Sequence, residues 1–557
     1  MSSLLRRIVA SLALTCALVG AASVSTAQSP ARGAAALASA KPNLLVLIVI
    51  DGLPQRQLDS YRGQFGPDGF ARFMERGVWF RNAHYDHAYT VTAVGHAVLL
   101  TGANPNRHGI IGNEWRDPQS GEPMYCAADR AASYIGHATR PLDGTSPKNL
   151  LAESLGDVLR RADPRSKVIA LSGKDRGAIL PGGKAGTAYI YMGSSGLFAS
   201  SSYYMSTHPA WVDVFNAAKP ADRYFRASWN ALLPPTAYER GVAGTAPWNP
   251  AGAALPMVYG TPTEPTPTPR FYSSLLRGPF ADALTLDFAR AALAGEKLGQ
   301  GAAPDILSIS LSGHDYVNHA FGAESSLSHD HTLQLDRLLQ AFFRDLDHNV
   351  GRDNYIAALS SDHGFMPTPE YSHSRGLDSG RIASTPLLAR LNAGLTQRFG
   401  EGQWIMGLSA SALLLDQALM VRQRVDRQAL AHEARALLLA EPGVAAAYTR
   451  AELLGGPRPA EAMFESMRKT WQADRSGDVQ FALKPNWMFG LGTGATHGSP
   501  NEYDTHVPLM LWGPRWMRAA AMPERVGVVD LAPTLARLLG IAAPAQSEGR
   551  LLPVTAP

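Results

Sequence analysis

Cysteine is nearly absent from this chain: of 557 residues, only Cys16 and Cys126 carry a thiol. Cys16 lies in an N-terminal apolar run behind Ala13, Leu14 and Thr15, a poor setting for lipidation. Removal of that run leaves Cys126 without a partner, which excludes an intramolecular disulfide, so packing must supply stability. Long apolar runs are equally scarce. After the first 27 residues, no stretch approaches the roughly 18 apolar residues that a spanning helix requires. Basic runs are missing too, and the formal charge of +4 already counts Arg6 and Arg7, which argues against general nucleic-acid binding. No internal repeat is visible. What is present is ordinary globular composition, 45% hydrophobic and 18% charged, in a length that suits one large domain with insertions or two domains.

Residues 1–27 read as an export signal. Arg6 and Arg7 form the basic start, Ile8 to Ala22 the apolar stretch, and Ser25-Thr26-Ala27 a small-residue cleavage site before Gln28. The paired arginines raise twin-arginine export, although Ile8 and Val9 do not complete that motif. The expectation is a periplasmic or secreted protein, 28–557, with no stable membrane insertion after cleavage.

Three nearly continuous apolar runs each end in a polar motif: Leu44 to Ile50 before Asp51, Ile306 to Ser312 before His314-Asp315, and Tyr355 to Ser361 before Asp362-His363. Such runs suit strands covered on both faces, and ligands gather beyond the carboxyl ends of strands in open α/β sheets. Leu335, Leu338, Leu339, Phe342 and Leu346 form one helical stripe. The fold class is α/β, a mostly parallel sheet flanked by helices. Two regions interrupt the alternation. Residues 194–280 are rich in Tyr, Trp, Ser and Pro, and the proline spacing of Thr261 to Pro269 favours an extended strap. Residues 387–489 hold a strand-like Ala410 to Leu415, a helix-like Asp426 to Leu439 and a further strand near Val479. Both read as insertions at the active-site end of the core.

Asp51, Asp315, His319, Asp362, His363 and His497 are the carboxylates and imidazoles that a pair of divalent zinc ions needs, and adjacent zincs serve phosphoryl transfer. Thr92, in Thr92-Ala93-Val94-Gly95-His96, places a hydroxyl at a helix start, where backbone N–H groups suit a phosphate. Alone this is a weak signal, because threonine is also a good N-cap. His329, Asp330 and His331 form another metal-like cluster, for which a polar, capping or surface role is expected. His314 neighbours Asp315, but Asp315 and His319 are the i, i+4 pair.

The series Val49-Ile50-Asp51-Gly52, Thr92-Ala93-Val94-Gly95-His96, Asp315 with His319, Ser361-Asp362-His363-Gly364 and Thr496-His497-Gly498 resembles the alkaline phosphatase superfamily across essentially the whole mature chain. Within it, the resemblance is to phosphate-irrepressible alkaline phosphatases that use threonine. That resemblance implies two Zn²⁺ ions, one held by Asp315, His319 and His497, the other by Asp51, Asp362 and His363 with the Thr92 oxygen. It also implies attack by Thr92 through a phosphothreonine intermediate. Lys174 and Arg176, in Ser172-Gly173-Lys174-Asp175-Arg176, match the basic pair of that subgroup, and Asn113 its phosphate-binding asparagine. Two cations and an amide engage a dianionic monoester more fully than a diester. The implied activity is phosphate monoester hydrolysis.

The first alternative is a nucleotide pyrophosphatase or phosphodiesterase, against which Lys174 and Arg176 argue. A sulfatase lacks support because no Cys-x-Pro-x-Arg or Ser-x-Pro-x-Arg motif occurs at the nucleophile. An export signal is wrong for a glycolytic phosphoglycerate mutase. The alternative from a different class is a zinc-binding periplasmic receptor or an inactive relative, against which the intact set of ligands, hydroxyl and basic pair argues.

Overall fold

In the computed structural model, residues 41–557 are described except 240, 244, 245, 251 and 252. The expected signal, residues 1–27, lies outside them. Nine strands form the central sheet: β1 (Leu44–Ile50), β2 (Val78–His84), β3 (Val168–Ser172), β4 (Thr187–Met192), β5 (Leu197–Ala199), β6 (Asp305–Leu311), β7 (Tyr355–Ser360), β8 (His506–Trp512) and β9 (Ala520–Gly527). Their order is β9-β2-β8-β7-β1-β6-β3-β4-β5. Strand β1 pairs in parallel with β6 and β7, β3 joins β6 in parallel, and only β8 and β5 run against the rest. The expected α/β class is what the chain adopts.

Strand β1 shows why an unbroken apolar run was needed. Leu44, Val46, Ile48 and Ile50 enter one core, whereas Leu45, Leu47 and Val49 enter the core on the opposite face. All seven are buried, and burying each such side chain contributes about 1.5–3 kcal/mol against the entropy of ordering it. Ile50 lies opposite Leu311, and Val49 opposite Ser360. The three central strands therefore end level, and the residues that follow emerge at one edge.

Five helices bear on that edge or pack below it: α1 (Thr92–Thr101), α2 (Asp175–Gly182), α3 (Pro279–Glu296), α4 (Gly313–Phe321) and α5 (Ser326–Leu346). The stripe expected on α5 is largely in the core: Leu335, Leu339, Phe342 and Leu346 are fully buried, and Leu338 is half-buried. Ser325 caps its start, accepting from Ser328 N.

Between β7 and β8 the chain builds a separate four-stranded antiparallel sheet from Ile405–Ser409, Ala412–Leu415, Val479–Leu483 and Val444–Thr449. Helices Ser384–Phe399 and Arg427–Leu439 pack on it over a core that includes Leu391, Trp404, Leu430 and Phe481. Asp426 caps the second helix, accepting from Ala429 N at 2.9 Å. The proline-rich segment from Thr261 has no helix or strand until Pro269–Ser274, which Thr268 caps. Aromatic residues nearby join the main core, with the Phe198 and Phe288 rings stacked 4.2 Å apart.

Candidate active site

Each candidate residue follows a strand end or opens a helix. Asp51 comes directly after β1, and Gly52 turns the chain with φ +72°. Asp362 and His363 follow β7, while Asp315 and His319 sit one turn apart on α4. His497 lies in the loop before β8. Thr92 opens α1, and Lys174 sits just before α2.

The structure brings the six ligand-type residues together as two triads. Asp315, His319 and His497 form one, and Asp51, Asp362 and His363 the other; within each, the donor atoms lie within 4.8 Å of one another. His319 Nε2 and His497 Nε2 stand 3.3 Å and 3.5 Å from Asp315 Oδ1. His363 Nε2 stands 3.5 Å from Asp51 Oδ1 and 3.4 Å from Asp362 Oδ2.

The unused valences of these groups fit cations. The Nδ1 atoms of His319, His363 and His497 lie 2.9, 2.8 and 2.8 Å from the carbonyl oxygens of Ala495, Gly364 and Thr90. Donation from Nδ1–H to those carbonyls fixes the tautomer and leaves each Nε2 lone pair facing the carboxylates, the usual support for a metal-binding imidazole. Asp51 Oδ1 and Asp315 Oδ1 are buried without a hydrogen-bond partner among the described residues. Such oxygens are costly unless something positive meets them.

Charge leads to the same conclusion. Three buried carboxylates share one ammonium, Lys174, whose Nζ lies 2.7 Å from Asp51 Oδ2 and 2.5 Å from Asp315 Oδ2. Burial, followed by the charge of Asp362, pushes Asp51 well above the usual carboxylate range. Burial opposes ionisation of Asp315 as well, but His319 and Lys174 more than offset it and hold that group low. Burial works against the Lys174 charge, yet Asp315 and Asp51 raise its pKa. This donor set, two carboxylate-imidazole triads, suits divalent metal cofactors.

Thr92 is buried with Oγ1 3.5 Å from His363 Nε2, beside the second triad. Asn113 Oδ1 accepts from Ala93 N at 2.8 Å, joining the asparagine to the first turn of α1. Arg176 Nη1 donates to the Tyr125 hydroxyl at 3.2 Å, and that hydroxyl donates to Asp175 Oδ1 at 2.5 Å. The predicted residues Thr92, Lys174 and both triads thus share one cluster, with Asn113 tied to the Thr92 helix and Arg176 two residues beyond Lys174.

Sequence reasoning left His96 without a task. Its Nδ1 lies 3.1 Å from Asp362 Oδ2 and 2.9 Å from the Thr92 carbonyl, and its Nε2 lies 2.8 Å from Ser310 Oγ. It therefore braces both Asp362 and the first turn of α1, and its place in the Thr92 motif was the available signal. Gly95 sets the same spacing from the other side: a β-carbon there would overlap the Asp362 carbonyl oxygen. Of the polar, capping or surface role expected for His329, Asp330 and His331, the surface alternative is corrected. All three are buried in the first turns of α5, because Trp229 Nε1, Leu232 N and the Tyr238 hydroxyl converge on Asp330 at 2.7, 2.8 and 2.5 Å. His331 Nδ1 meets His314 Nδ1 at 3.1 Å, and His314 Nε2 meets Gln57 Oε1 at 2.7 Å.

The fold and site resemble known proteins throughout. The sequence profile of the type I phosphodiesterase / nucleotide pyrophosphatase family matches residues 45–507. Alkaline phosphatase PhoV of Synechococcus elongatus is 34% identical over 526 residues, covering 92% of each chain. The crystal structure of wild-type alkaline phosphatase PafA superposes with a TM-score of 0.85 at 30% identity, covering 92% of this chain and 98% of that one. A PafA mutant altered at one threonine, one asparagine, one lysine and one arginine gives 0.84 at 29% identity, with the same coverage. The chain therefore belongs to the type I phosphodiesterase / nucleotide pyrophosphatase family, within the alkaline phosphatase superfamily.

Proposed function

We propose that this protein is an exported, zinc-dependent alkaline phosphatase that hydrolyses phosphate monoesters through a phosphothreonine intermediate and releases inorganic phosphate. The observation that carries the reading is the position of the Thr92 hydroxyl, 3.5 Å from His363 Nε2 and beside two carboxylate-imidazole triads joined by Lys174. PhoV and PafA are named alkaline phosphatases, which supports phosphoric monoester hydrolysis here. The four residues altered in the PafA mutant are spaced as Thr92 and Asn113, and Lys174 and Arg176, are in this chain.

Bound zinc would supply Lewis acidity at both the nucleophile and the leaving oxygen. Asp51, Asp362 and His363 would hold one ion, and Asp315, His319 and His497 the other. Thr92 Oγ loses its proton and forms a bond to phosphorus as the bond to the leaving oxygen breaks, that oxygen departing as the alcohol once protonated. Water then adds its oxygen to phosphorus as the Thr92 Oγ–P bond breaks, which returns a proton to Thr92 and releases phosphate. Lys174, Arg176 and the Asn113 amide bind non-bridging oxygens, and the N-terminus of α1 adds backbone dipoles. The export signal at 1–27 gives the proposed periplasmic or secreted location, with 28–557 as the catalytic chain.

Hydrolysis of a monoester and a diester of the same leaving group, assayed on zinc-loaded protein, tests the reading. Higher kcat/KM on the monoester is expected, whereas a preference for the diester would make the protein a phosphodiesterase. Cell fractionation tests export, and retention in the cytoplasm would reject it.

A further inference from the structure

A crevice of about 320 Å³ lies where the inserted sheet meets the loop that carries His497. Tyr89 and His497 line the side of the core, whereas Phe481, Trp487 and Phe489 line the side of the insertion. The His497 ring thus serves two places at once: its Nε2 belongs to the triad with Asp315 and His319, and its loop borders this crevice. Tyr89 ties the crevice to the opposite side of the site as well. A β-carbon at Gly498, directly after His497, would lie 3.3 Å from Tyr89 Cε2, and one at Gly112, directly before Asn113, would lie 3.4 Å from Tyr89 Cε1. The aromatic crevice therefore borders the proposed phosphate site, with His497 and Tyr89 standing between the two.

Its walls are selective in composition. Aromatic side chains favour flat partners by offset or edge contacts, and pockets of this size enclose small organic groups. Polar residues interrupt the apolar wall at Ser384, Ser411, Thr496, Ser499 and Asp504. Asp504 accepts from Ser499 N and Ser499 Oγ through Oδ2, while its buried Oδ1 has no hydrogen-bond partner among the described residues.

We propose that this crevice binds the aromatic alcohol portion of a phosphate monoester, making aryl esters the preferred substrate class. The assignment rests on the monoesterase reading for the position of the phosphoryl group. With phosphorus at Thr92, a leaving oxygen directed toward the triad of Asp315, His319 and His497 puts the attached ring beside Tyr89 and the inserted sheet. The insertion thereby acts on specificity while the central sheet holds the reacting atoms.

Two readouts test this. The first is the ratio of kcat/KM for 2-naphthyl phosphate to that for methyl phosphate, compared between the unaltered protein and its variants so that intrinsic leaving-group reactivity cancels. Ser384→Trp, at the exposed rim of the crevice, and Phe489→Ala, in its wall, should each lower that ratio about tenfold. The second is saturable binding of 2-naphthol, followed by its fluorescence, which requires no turnover; both variants should weaken it. An unchanged ratio together with unchanged naphthol affinity in both variants overturns the proposal. If neither ester is hydrolysed but naphthol binding weakens as stated, the monoesterase reading fails and the aromatic site stands.

Discussion

His363 and His497 stack face to face, their ring centroids 3.5 Å apart and their planes within 10°, although each belongs to a different ligand triad. The stack makes the two triads neighbours, and the backbone acceptors on both Nδ1 atoms keep the rings from rotating independently. Loss of cations from one triad should therefore be felt at the other.

Chelation should abolish phosphatase activity, and zinc should restore it, because these triads leave open positions for substrate and water. Metal analysis of the active protein should find two zinc ions per chain. Undiminished turnover by metal-stripped protein would disprove this.

Thr92→Ala should lower turnover by orders of magnitude, while Thr92→Ser should retain much of it because an oxygen nucleophile remains. Acid quenching during turnover, followed by peptide mass spectrometry, should locate the phosphoryl group on Thr92. Its recovery on another residue would identify a different nucleophile.

Lys174→Ala with Arg176→Ala should cut monoester kcat/KM far more than diester kcat/KM. Each lost charged hydrogen bond costs roughly 1.5–3 kcal/mol, about tenfold to a hundredfold, without strict additivity. Asn113→Ala should act in the same direction with a smaller effect. Equal losses on both substrates would assign these residues to general phosphate binding or to the fold.

His96→Ala should weaken metal affinity about 10- to 100-fold by releasing Asp362, the usual scale for removing a ligand's support. The readout is zinc affinity by competition with a chelator, alongside the unfolding midpoint of metal-free protein. A large drop in that midpoint with zinc affinity unchanged would make His96 a purely structural residue.

Acid should destabilise the fold through buried neutral histidines. Burial lowers His87 to about 3. With an unfolded value of about 6.5, the unfolded chain binds the extra proton first. The stability contribution is thus intact above about pH 6.5 and is lost as pH falls toward 3, at up to about 1.4 kcal/mol per pH unit. His87→Phe should flatten that slope in thermal unfolding measured from pH 7 to 4; an identical slope would exclude His87 as a source.

The central sheet was legible because strands buried on both faces leave no polar positions, as β1 shows. Its motif residues were legible because they follow strand ends directly. The tasks of His96 and Asp330 were not. His96 acts through Ser310 and Asp362, more than 200 positions away, and Asp330 is covered by Trp229 and Tyr238 from a segment with no regular periodicity. Local pattern reads a residue's own strand or helix; it cannot read what a distant loop lays over it. The inserted sheet showed in pieces near Ala410, Asp426 and Val479, but its strand order depends on pairings between distant segments.

Gly95 has a consequence for how the site could be lost. Because α1 touches the Asp362 backbone at a position without a side chain, a single methyl group added there would push the Thr92 helix off the sheet edge. Every residue of the proposed site would survive in the sequence. A relative with all the diagnostic residues but a larger side chain at this point would pass a motif search and still hold its hydroxyl out of reach of phosphorus.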